Sequence, residues 1–322
     1  MSASPDEFAW IARLRSLTLG DRRALGLADD AAVLPGRPGF DLVISKDAMV
    51  EGVHFLVGEA PETIARRLLR ASLSDLAAKA AEPFGYFLMT AWPSDRDWAW
   101  RDAFIRGLAI DGEAFGVALL GGDTVATPGP FTVSATVLGW VPEGGAVLRS
   151  GARAGDALMV CGAIGDGWLG LKAARGEIAD PGGRLADRYR LPTPLLSLRE
   201  CLSVHAHAAA DVSDGLVADA LHVADASGLG LAIDLDRLPL SPAAAAWLDE
   251  QPDPAAARLA LATGGDDYAI VCAVSPPEGA FARAVQACGV PVATVGRFTK
   301  TAGLAVMAGG AQIAVDRLGW RH

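Results

Sequence analysis

Two patterns of apolar and polar positions alternate along this chain. Some stretches are short and almost wholly apolar, as buried strands are; others space their apolar residues three and four apart, as helices do. Residues 41–50, DLVISKDAMV, read as a strand, and 61–81, PETIARRLLRASLSDLAAKAA, as an amphipathic helix. GYFLMTAW (85–92) is a strand and 98–116 a helix. VALL (117–120) and FTVSATVLGWV (131–141) are strands either side of a loop, GGDTVATPGP. After a turn-rich stretch (141–156) the alternation resumes. DALMVCG (156–162) is a strand and GDGWLGLKAAR (165–175) starts a helix. LLSLRECLSVHAHAAA (195–210) is a helix, DVSDG precedes another at 216–227, and GLAIDL (230–235) is a strand. The alanine-rich 241–262 is helical, YAIVCAV (268–274) a strand, FARAVQACG (281–289) a helix and PVATVG (291–296) the final strand.

Helices and strands mix in both halves, so the class is α/β, or mixed α+β. The turn-rich stretch places a boundary near residue 145, giving domains 1–145 and 146–322. At the amino terminus Ser4 reads as an N-cap, with Pro5 in the first turn and Glu7 as its capping-box partner.

Composition narrows the function. With 51% hydrophobic and 20% charged residues, the chain can bury a substantial core. A net charge of −10 disfavours a nucleic-acid binder, which needs clustered Lys and Arg. No apolar run approaches the roughly 20 residues of a membrane span, and MSASPDEFAW has no Lys or Arg to open a signal peptide. The expected location is the cytoplasm. Cys161, Cys201, Cys272 and Cys288 form no CxxC pair and read as small buried residues in a reducing compartment.

Acidic residues recur among small neighbours: DD (29–30), SKD (45–47), LSD (73–75), GGD (121–123), DVSD (211–214) and GGDD (264–267). Each alone is also an ordinary polar turn, and in DVSDGL either Asp211 or Ser213 serves equally well as a helix cap. Six such stretches point to one cluster of carboxylates at strand edges, holding several Mg²⁺ ions against a polyphosphate. Mg²⁺ takes oxygen ligands and keeps substrate phosphates in its shell, and so many carboxylates need cations to lie together. GxxxxGK[ST] is absent, as are HRD and DFG, so a nucleotide here is held neither by a P-loop nor by a protein-kinase site.

The strings ADDAAVL, SKDAMVEGVHF, LSDLAAKAAEP, GGDT, LRSGARAGD, DVSDGL and GGDDYAI follow one another in an order that resembles the thiamine-monophosphate kinases. These belong to the aminoimidazole-ribonucleotide-synthetase-like superfamily, and the resemblance runs from about residue 5 to the end. It implies a two-domain fold whose amino-terminal sheet pairs across a homodimer, while the second domain completes the nucleotide and substrate site. It implies Mg²⁺-dependent transfer of the γ-phosphoryl of ATP to thiamine monophosphate. The acceptor is already an oxyanion, so no general base is expected; alignment and charge neutralisation carry the reaction.

Position by position, the resemblance makes Asp30, Asp47, Asp75, Asp123 and Asp211 the main metal ligands. Ser45 and Lys46 lie in the same metal strand, and Asp214 matches a further metal position. Gly122, Asp123, Arg149 and Ser213 fall where ATP is contacted, and His54, Asp267 and Trp320 where substrate is. For His54 the residues alone equally suit a core histidine at a strand end, and for Trp320 a packing anchor. The chain departs from the family at three places: Ala28 stands for Gly, Lys46 for Thr, and Arg317 for an aromatic residue. Lys46 replaces an ion's charge, binds phosphate, or points away and offers only its carbonyl. Asp29 either ligates or shapes the turn. The rival readings are a sister ATP-using synthetase and a two-metal phosphohydrolase; the selenophosphate-forming sister needs an early cysteine, and the first one here is Cys161.

Overall fold

The structure, a computed structural model, describes residues 7–320; the cap positions Ser4 and Pro5 lie outside them. Two compact units divide the chain: residues up to Leu76 together with Ala81–Gly144, and Ala77–Ala80 together with Gly145 onward.

The first unit holds α1 (Glu7–Leu14), β1 (Phe40–Val50), α2 (Pro61–Ala78), β2 (Glu82–Trp92), α3 (Trp98–Phe115), β3 (Ala118–Ala126) and β4 (Thr132–Pro142). Its sheet runs β1-β4-β2-β3, antiparallel except for the parallel pair β2/β3. The α3 helix begins where Asp97 accepts from the Trp100 N–H and ends at the left-handed Gly116. Gly107 lets α3 lie against α2, since a Cβ there would fall 2.3 Å from the Glu62 carbonyl oxygen. Trp10, Trp92, Trp100, Phe104 and Phe131 pack edge-on and stacked into one aromatic core.

GGDT is strand rather than loop. β3 continues through it because β2 supplies a parallel ladder from Phe87↔Gly121 to Trp92↔Ala126. Only glycine fits at 122: a Cβ would stand 1.8 Å from the Leu88 carbonyl oxygen.

The second unit holds β5 (Ala157–Cys161), α4 (Asp166–Ala174), α5 (Arg184–Arg190), α6 (Arg199–His205), β6 (Ala206–Val212), α7 (Leu216–Ala226), β7 (Gly230–Asp234), α8 (Pro242–Asp249), α9 (Pro254–Thr263), β8 (Ala269–Val274), α10 (Gly279–Ala287), β9 (Val292–Thr299), β10 (Leu304–Ala308) and β11 (Ala311–Ile313). These strands form one mixed sheet in the order β11-β10-β7-β9-β5-β8-β6.

Three expectations change here. The helix read over 195–210 stops at His205, and the alanines beyond it become β6 on the edge of the sheet, paired with β8; tertiary pairing overrides alanine's helix preference. The helical 241–262 is two helices, each started afresh by a capping side chain followed by proline, Ser241-Pro242 and Asp253-Pro254. β9 is not the last strand, because β10 and β11 follow. The cysteines are free thiols; Cys161 and Cys272 are buried as expected, but Cys288 is exposed.

Candidate functional site

In the first unit, alternation along β1 sorts its residues by face. Ser45 and Asp47 are partly buried, while Leu42, Ile44, Lys46 and Ala48 are exposed on the other side. Ser45 donates its hydroxyl to Asp75 Oδ2 at 2.5 Å, joining β1 to α2. Asp47 lies beside the same carboxylate. Burial first, and then the charge of Asp75, push the Asp47 carboxyl up to about 6, although Ser72 donates a hydrogen bond to it. Asp75 sits within α2, not at a strand edge, and Ser72 comes three residues before it on the same helix face.

Lys46 points the other way. Its ammonium donates to Ser134 Oγ at 2.7 Å and reaches Thr136 Oγ1 at 3.5 Å, both on β4. In this structure the Lys46 side chain thus points away from Ser45 and Asp47 and onto β4.

Asp30 and Asp123 line a cavity of about 410 Å³ with Gly122 at its wall and Trp10, Leu88 and Leu119 behind them. Asp29 Oδ1 accepts from the Asp30 N–H at 2.8 Å, so Asp29 shapes the turn. Asp123 does the same for Thr124 at 2.9 Å. His54 closes the turn after β1: its Nδ1 accepts from the Val50 N–H at 3.0 Å, which leaves Nε2 as the protonated nitrogen of the neutral ring.

In the second unit, two loops are bonded to one another. The Asp266 N–H donates to the Ser213 carbonyl and the Tyr268 N–H to the Val212 carbonyl, both at 2.8 Å. Gly265, with φ +78°, allows this approach; a Cβ there would stand 2.6 Å from the Ser213 oxygen. The Trp320 N–H donates to the Asp214 carbonyl at 2.8 Å, so the carboxyl-terminal tryptophan reaches the DVSDG loop, with 48% of its surface exposed. The Arg317 guanidinium lies over its ring.

The paired aspartates of GGDD divide their tasks. Asp267 is 3% exposed, and its oxygens accept from the Gly165 and Gly167 N–H groups at 2.9 Å, at the start of α4. Burial outweighs those bonds and raises its carboxyl to about 7. The residue expected to touch substrate is therefore turned inward, and Asp266 is the partly exposed member, 3.2 Å from the Tyr268 hydroxyl. Asp211, on β6, is buried. Neither Asp211 nor Ser213 caps α7; Asp219 does, accepting from the Ser213, Asp214 and Gly215 N–H groups.

Arg149 is exposed on a segment tied down by the Leu148 carbonyl to the Ala209 N–H and by Ser227. Ser227 ends α7 and Ser213 precedes it, so Arg149 and Ser213 stand at opposite ends of a helix about 16 Å long.

Among the described residues, no three His, Cys, Asp or Glu side chains are placed to hold a metal ion. The Asp47/Asp75 pair, with Ser45 and Ser72, nonetheless fits a hard divalent cation: its donors are all oxygen, and its two acids crowd each other in a partly buried place.

The AIR synthase related protein family matches both halves, its N-terminal domain over residues 28–141 and its C-terminal domain over 153–309. A thiamine-monophosphate kinase of Caulobacter vibrioides is 59% identical over 323 aligned residues, spanning 100% of this chain and 92% of the relative. The chain belongs to the thiamine-monophosphate kinase family. Solved structures agree on the fold. The crystal structure of the thiamine-monophosphate kinase from Stenotrophomonas maltophilia matches with TM-score 0.83 at 34% identity, covering 95% of this chain and 98% of that one. AaThiL complexed with AMPPCP and TMP matches with TM-score 0.78 at 26% identity, covering 98% and 96%. Ser72, Asp219 and Asp266 escaped the sequence reading. Ser72 was accessible to it through the three-residue spacing to Asp75 on a helix.

Proposed function

We propose that this chain is a thiamine-monophosphate kinase, transferring the γ-phosphoryl of ATP to thiamine monophosphate to give thiamine diphosphate and ADP. Full-length 59% identity to a kinase of that name carries the reading. The relative solved with an ATP analogue together with TMP supports the same pair of substrates.

The residues suit in-line transfer without a general base. Asp47 and Asp75, with Ser45 beside them, are the proposed holders of Mg²⁺, which when bound supplies neutralisation of phosphate charge. Asp30, Gly122 and Asp123 form a wall for nucleotide and metal. Asp211, Ser213 and Asp214 supply the second unit's acids and hydroxyl, and Arg149 a cation for a different part of the nucleotide. His54, Asp266 and Trp320 are the proposed substrate contacts, with Asp267 holding the loop that carries Asp266. The exposed face of β1, where Ile44 is 57% exposed, is the proposed homodimer surface. Among the described residues no helix is long and apolar enough to cross a membrane; free thiols suit the reducing cytoplasm.

The test is one assay with ATP, Mg²⁺ and thiamine monophosphate, read by chromatography, with EDTA as control. Metal-dependent thiamine diphosphate plus ADP is the expected outcome. Thiamine plus inorganic phosphate would instead establish a phosphohydrolase.

A further inference from the structure

The amides of the three residues before α7 end on a side chain of α7 itself. Ser213, Asp214 and Gly215 donate to Oδ2 of Asp219 at 3.0, 3.1 and 3.1 Å, and Asp219 is 2% exposed. Gly215, in the N-cap position, has no side chain with which to cap. Asp219, one turn into the helix, reaches back and takes that part.

The carbonyls of the same loop are also committed. Ser213 accepts from the Asp266 N–H, and Asp214 from the Trp320 N–H, each at 2.8 Å. Both backbone groups of Ser213 and both of Asp214 are therefore used inside the protein. What remains to meet a ligand is their side chains, both partly exposed.

We infer that Asp219 is a positioning residue for nucleotide binding: by gathering the amides of Ser213 and Asp214 it fixes the loop before α7, so that their side chains stay placed for nucleotide and metal. The inference rests on the proposed contact between Ser213 and ATP. It assigns Asp219 no contact with substrate.

Kinetics of Asp219→Ala and Asp219→Asn in the full chain test it. Asp219→Ala frees three amides and should raise KM for ATP about ten-fold, with KM for thiamine monophosphate within about two-fold of wild type. Asp219→Asn keeps one acceptor oxygen and should recover most of the difference. Added formate, small enough to enter the space left by the carboxylate, should partly restore Asp219→Ala. A folded Asp219→Ala with wild-type KM for ATP overturns the inference, as does an equal rise in both KM values. Should neither variant fold, amide exchange in the wild-type chain decides: Ser213, Asp214 and Gly215 are slow exchangers if Asp219 holds them, and exchange at unfolded-chain rates refutes it. If the wild type makes no thiamine diphosphate, the kinase reading fails separately. The inference is then read from binding of Mg·AMPPCP, which Asp219→Ala should weaken and which, if unchanged, overturns it.

Discussion

Ser45 on β1 and Asp75 on α2 are thirty residues apart in sequence and joined by a 2.5 Å hydrogen bond. That bond places Asp75 beside Asp47, whose carboxyl is pushed up by burial and by the charge of Asp75.

Relief of that repulsion is measurable without turnover. Mg²⁺ should raise the melting temperature of the wild-type chain, because a ligand that binds only the folded state stabilises it. In Asp47→Asn the Mg²⁺-induced rise should shrink, while the metal-free protein above pH 6 melts higher than wild type. Phosphoryl transfer in the variant should fall by about a hundred-fold or more. Differential scanning fluorimetry with and without Mg²⁺, alongside the chromatographic assay, checks all three; an undiminished Mg²⁺ shift in Asp47→Asn removes Asp47 from the metal site.

The Lys46 ammonium sits on Ser134 and Thr136. Lys46→Thr should therefore leave kcat and KM for ATP within about three-fold of wild type. A ten-fold rise in KM for ATP would mean that the ammonium leaves β4 to bind phosphate.

Asp266 and Asp267 should separate cleanly by experiment. Asp266→Asn should raise KM for thiamine monophosphate with little change in melting temperature. Asp267→Asn should act on the loop and on stability. Reversal of the two phenotypes would return Asp267 to the substrate.

Stability should also depend on pH in a definite direction. Burial raises the Asp267 carboxyl from its ordinary 3.8 to about 7. Between those values the folded chain holds a proton there that the unfolded chain has lost. This contribution is complete below about pH 4 and disappears as pH rises through 7. Asp267→Asn has no such proton to lose, so its stability relative to wild type should increase from pH 5 to pH 8. Urea melts at each pH give the comparison, and parallel curves would show that Asp267 does not titrate in that range.

Apolar spacing located α2 and α3, and the run of β-branched and apolar residues in DLVISKDAMV located β1. It could not locate β3 through GGDT: glycine and aspartate are poor strand formers, and the strand exists there because β2 pairs with it. The acids of the candidate site were visible as residue types, but their directions were not. Asp266 and Tyr268 take positive φ, at 63° and 51°, and this backbone path, absent from any composition count, accompanies the inward turn of Asp267. In sequence Asp219 is a polar position within the helix at 216–227. Its role depends on three amides converging on one oxygen, which no spacing reveals.

β6 carries a consequence for how the chain is made. Residues 199–210 emerge from the ribosome as a single stretch with strong helical preference, and nothing in it says where α6 should stop. The partner that turns Ala206–Val212 into strand is β8, which is not synthesised until residues 269–274. Until then these alanines lack that partner, and any helix that runs on into them must unwind before the sheet can close. Valine at Ala208, a residue that disfavours the helix and favours the strand, should shorten that detour and speed refolding, provided its extra methyl groups fit the core.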